Sequence, residues 1–135
     1  MRKLFNGEIL FDIADTNCIK VDFENNILPT KIINMGDVVA IGRKAPKNRW
    51  IYEIKYHGEK EYYESMEKMI NQLCDNKDYV NELVKTYDEV NIKIYIRSKY
   101  AEIGHSIPNH LIKKLAELDC VVLFEILSFG MSINE

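Results

Sequence analysis

From the N-terminus, Ile9, Phe11 and Ile13 alternate with Glu8, Leu10 and Asp12, a period of two that predicts a strand over 4–13 with one drier face. Thr16 or Asn17 can cap a short helix carrying Ile19 and Phe23 on one side. Asn25-Asn26 would end it, since Asn tolerates the left-handed conformation of a helix C-terminus. Pro29-Thr30 reopens an extended chain, because the residue before proline avoids the helical region. Lys31–Asn34 then reads as a brief strand, Met35-Gly36-Asp37 as a turn, and Val38–Ile41 as apolar again. A polar loop runs from Gly42 to Arg49, after which Trp50, Tyr52, Ile54 and Tyr56 alternate with Ile51, Glu53 and Lys55. The two runs flanking that loop are expected to form a hairpin.

The best helical signal covers 61–74, where Tyr62, Met66, Met69, Ile70 and Leu73 make a continuous apolar stripe. Burying such side chains contributes roughly 1.5–3 kcal/mol each, well above any propensity difference. Asp78–Tyr87 repeats the pattern more briefly. Val90, Ile92, Ile94 and Ile96 alternate with Asn91, Lys93, Tyr95 and Arg97, a strand with a dry and a wet face. Pro108 suits the first position of a helix that turns Leu111, Ile112, Leu115 and Leu118 inward. Cys120–Phe129 is apolar nearly throughout and is expected to be a central strand, covered on both faces. The order predicts one α+β domain over 1–135, a mixed, mostly antiparallel sheet of about five strands with helices packed on one face.

Composition agrees with that picture and narrows the rest. A chain of 135 residues, 47% apolar and 29% charged, is the size and make-up of one globular domain. Eighteen basic against 21 acidic residues leave a net charge of −3, so no chain-wide pull toward nucleic acid or an anionic membrane is expected. No apolar run approaches the about 20 residues of a membrane span. Asn6, Glu8 and Asp12 interrupt any secretory leader after Met1-Arg2-Lys3, and a cytoplasmic location is expected. Cys18, Cys74 and Cys120 are odd in number and far apart, which reads as reduced, buried thiols.

The residues with chemical potential are dispersed. His57 ends a strand, and His105 and His110 straddle a helix start across Pro108, off the common face that a metal pair needs. The carboxylates Glu59, Glu61, Glu64 and Glu67 fall on a solvated helix face. Neither a phosphate-binding glycine loop nor a nucleophile elbow is present. No catalytic residue, metal site or cofactor is therefore expected, and the inventory favours a non-enzymatic domain. Two surfaces suit a partner instead. One is the wet sheet face bearing Lys93, Tyr95 and Arg97, expected near Arg49, Glu53 or Lys55, which fits an unidentified protein partner. The other is the basic loop with Arg43, Lys44, Lys47 and Arg49 beside Trp50, which would also allow weak nucleic-acid binding through 43–49. A small-molecule binder or hydrolase with a cleft near 29–37 is a third reading, and a homodimer is compatible with all of them.

Ile27-Leu28-Pro29-Thr30, Met35-Gly36-Asp37 and a strand-opening Trp50, with the ending Leu115-Ala116-Glu117-Leu118 and Val121–Ile126, resemble the bacterial domain of unknown function 4279 family over nearly the whole chain. Asn25-Asn26 stands where that family usually has Leu-Gly, and Asp119 replaces a common Gly. The resemblance implies a small bacterial cytoplasmic protein and transfers no catalytic residue. Pro29, Thr30, Gly36, Asp37 and Trp50 are expected to serve architecture. An immunity-like or accessory role rests on analogy of size and character alone.

Overall fold

The computed structural model describes residues 5–100 and 104–131; Leu4 of the expected first strand lies outside them. β1 (Phe5–Asp15) is the middle strand of a five-stranded sheet, antiparallel to β5 (Asn48–His57) on one side and to β6 (Glu89–Tyr100) on the other. β2 (Lys31–Ile33) forms one edge on β5, and β7 (Val121–Met131) forms the other, parallel to β6. The parallel step requires a crossover, supplied by α3 (Asn109–Leu118). α1 (Gly58–Asp75) and α2 (Lys77–Thr86) fill the connection from β5 to β6. The expected α+β class and the mixed, mostly antiparallel five-stranded sheet are what the molecule has.

The helices cover one face of the sheet. The α1 stripe Tyr62, Met66, Met69, Ile70 and Leu73 is buried against Ile9, Phe11 and Ile13 of β1 and Ile92, Ile94 and Ile96 of β6. Aromatic rings meet edge to face through this layer, Phe5 with Tyr62 at 5.5 Å and Tyr56 with Tyr62 at 5.1 Å between centroids. Tyr56 Oη crosses β1 at Gly7 to donate 2.7 Å to the Tyr95 carbonyl. A Cβ at position 7 would collide with that carbonyl and that hydroxyl, so glycine is required by space there.

Four expectations need correction. The helix expected over 16–25 is absent: the segment is irregular, Glu24 and Asn25 both have positive φ, and the Asp22 carboxylate caps the Glu24 amide at 2.7 Å. Tyr79 of α2 and Tyr87 just after it fix the segment instead, Tyr87 Oη accepting from the Lys20 amide and Tyr79 Oη from the Asp22 amide, each at 2.8 Å. The left-handed turn expected at Asn25 is there, without a helix to end. Second, Val38–Ile41 does not pair with the strand after Trp50: β3 (Val38–Ala40) pairs with β4 (Arg43–Lys44) in a separate ribbon, and β5 is claimed by β1 and β2. Third, β7 is an edge strand, with Val121, Ile126, Leu127 and Phe129 all half exposed or more. The strand buried on both faces is β1, whose Leu10 and Asp12 are as enclosed as Ile9 and Phe11. Fourth, Cys18 is exposed, whereas Cys74 and Cys120 are partly buried; all three are free thiols.

Candidate functional site

On the face of the sheet away from the helices, the β3–β4 ribbon folds over the strands as a flap. Gly36, at φ +93°, makes the turn, and its amide donates 2.9 Å to the Ala45 carbonyl; the Ala45 amide returns 2.7 Å to Asp37. Ala45 then seats on Leu10, Ile33 and Ile51, a second, smaller apolar cluster that Tyr95 flanks. Thr30 anchors β2: its hydroxyl donates 3.1 Å to the Ile51 carbonyl and accepts 2.9 Å from the Glu53 amide. Asn48 supports the flap base, accepting from the Met35 amide at 2.8 Å and donating to the Asn17 carbonyl at 2.9 Å.

Between flap and sheet lies a cleft of about 710 Å³. Five cations line it: Lys31, Arg43, Lys47, Arg49 and Lys93. Three carboxylates oppose them, those of Asp12, Asp37 and Glu89. Asp12 is fully buried at the floor, between Arg49, 2.8 Å from Oδ1, and Lys93, 2.9 Å from Oδ2. Lys47 pairs with Glu89 at 2.6 Å, and this contact raises the lysine pKa and lowers that of the carboxyl. Among the described residues Lys31 and Arg43 have no carboxylate partner, nor has the exposed Lys44 beside them. The cleft therefore carries uncompensated positive charge on a chain that is acidic overall.

The expected site residues separate into distinct places. Lys93 reaches the cleft, and Tyr95 packs beside the cluster under the flap. Arg97 is held away from the cleft by a bidentate pair with Glu8, at 3.0 and 2.5 Å, which raises its pKa. Lys93 and Arg49 meet across β1 on the two oxygens of Asp12, whereas Arg97 is engaged by Glu8 of β1. Trp50 is buried against Phe11 and Phe23, so the basic loop offers no exposed indole for stacking. Sequence reasoning passed over Asp12 and Lys31. Alternation put Asp12 with Glu8 on the wetter face of its strand; only the flap, which the pattern did not reveal, buries that face and obliges the carboxylate to find cations.

Elsewhere the titratable side chains do not converge. Burial pushes the Cys120 thiol up to about 12, while His105 leans on Tyr62 and Phe124 and His110 meets Glu67 at 3.4 Å. Among the described residues no group of three or more His, Cys, Asp or Glu is placed to hold a metal ion, and no helix is long and apolar enough to cross a membrane.

The sequence profile of a domain of unknown function, DUF4279, matches residues 11–128. The chain belongs to the DUF4279 family. The match takes in β1 from its middle, the flap, every helix and most of β7, hence the whole cleft. Residues singled out for their resemblance to the family build this architecture: Thr30 ties β2 to β5, Gly36 and Asp37 shape the flap turn, and Asp119 stands left-handed at φ 59° where a glycine is common. No curated protein and no solved structure shows a significant match to the chain.

Proposed function

We propose that the chain is a non-enzymatic binding domain whose cleft receives an acidic segment of a protein partner. The observation that carries this reading is the surplus of cations around the cleft, with Lys31 and Arg43 unneutralised in its lining. Asp12 holds Arg49 and Lys93 in place on the floor, so the site presents charge without rearranging. Free thiols on Cys18, Cys74 and Cys120 suit a reducing compartment, and we read the domain as a bacterial cytoplasmic protein of immunity-like or accessory type. A second reading, a small anionic ligand, is favoured by the cleft volume, which lies within the roughly 300–1,000 Å³ of small-molecule sites.

Calorimetric titration with an oligoglutamate peptide tests the proposal, with inorganic phosphate and a single-stranded oligouridylate as parallel ligands. Peptide binding is expected at low ionic strength, weakened by salt and lost in the Arg43→Glu/Lys44→Glu double variant. Absence of peptide binding at low salt, or indifference to the double reversal, overturns it. Tighter binding of phosphate would transfer the cleft to the second reading, and tighter binding of the oligouridylate to nucleic acid.

A further inference from the structure

β7 ends the sheet opposite β2, and among the described residues no strand pairs with its outer edge. Native sheets guard such edges with short strands, prolines, lysines or inward charges. β7 has few of these protections. It is 11 residues long, and between Val121 and Phe129 it carries a single charge, Glu125, and no proline. Beside the exposed Glu125 and Ser128, it shows apolar side chains on both faces: Val121, Leu123 and Leu127 on the flap side and Phe124 and Ile126 on the helix side are each more than a third exposed. What can cover an open strand edge is another strand, and one that is itself apolar on both faces.

We propose that this partner is β7 of a second copy of the chain, paired antiparallel about a two-fold axis into a continuous ten-stranded sheet. The strand is its own complement. With the axis at Phe124, Val121 faces Leu127 of the second copy, Val122 faces Ile126, and Glu125 meets Leu123 rather than a second carboxylate. β2 cannot substitute as the acceptor: it has three residues and opens with the exposed Lys31, which also prevents head-to-tail growth into fibres. A single-strand interface lies at the low end of the range around roughly 800 Å² per partner, so the dimer is a concentration-dependent equilibrium. The inference is independent of the cleft, which lies toward the other edge of the sheet.

Sedimentation of the full chain from micromolar to submillimolar concentration, read with amide hydrogen exchange, provides the test. Dimer formation is expected, with β7 amides gaining protection as concentration rises while β2 amides do not. Leu127→Lys and Ile126→Lys, both at exposed positions, should each weaken association about tenfold or more without lowering the melting temperature appreciably, since each copy would bring an ammonium group into the new seam. Should one variant unfold, Val121→Lys serves in its place. A monomer throughout the range overturns the proposal, as does a dimer that leaves β7 amides unprotected or is unmoved by these lysines.

Discussion

Gly7 shows how much one missing methyl group decides. The Tyr56 hydroxyl passes over it to reach the Tyr95 carbonyl, so three adjacent strands close to their observed spacing only while position 7 has no side chain. Gly7→Ala should lower the unfolding free energy by about 2–4 kcal/mol, the range of overpacking with a displaced hydrogen bond, as measured by urea denaturation. A cost below half a kcal/mol would show that the strands part there without penalty. Nothing in the one-dimensional pattern marks this glycine, because its requirement comes from its cross-strand partner Tyr56, whose hydroxyl passes over β1 to the strand on the other side. Trp50 is the opposite case: its alternation with Tyr52, Ile54 and Tyr56 already placed it on the dry face, where it is found.

At the level of elements, alternation located β5 and β6 well, since one side chain in two faces the helices. The helical stripe did the same for α1. Periodicity was silent about strand order. A nearly unbroken apolar run reads as central, yet β7 lies at the edge, and β1, with charges at Glu8 and Asp12, lies in the middle. Its interior charges are tolerated because neighbouring strands answer them, Arg49 from β5 and Lys93 from β6 both reaching Asp12. Asp12 thus ties three strands together. Asp12→Asn should cost about 3 kcal/mol, the low end for breaking a buried pair, because both cations keep some contact with water. Lys93→Met should cost less, since Arg49 still holds Oδ1; equal losses in thermal melts of the two variants would deny Asp12 this central part.

For the molecule as a whole, acid sensitivity follows from two carboxyls held below their ordinary values. Asp15 is lowered by accepting from the Asn17 amide at 2.7 Å and the Asp88 amide at 2.9 Å, and Glu89 by the Lys47 ammonium. Depressed folded-state values mean that their contributions are present above the unfolded pKa near 4 and vanish as pH falls through the folded ones. Melting temperature should therefore drop as pH falls below about 4.5, and Asp15→Asn should be less stable at neutral pH but flatter across that acid range. Identical slopes for variant and parent would remove Asp15 from the account. The position of β1 also bears on the order of events during synthesis. Of the described strands, β1 is made before both of its neighbours, and the second of these ends only at Tyr100. Until β6 has been translated, one flank of β1 stays bare, and a nascent chain stalled before Tyr100 would be a natural client for a chaperone.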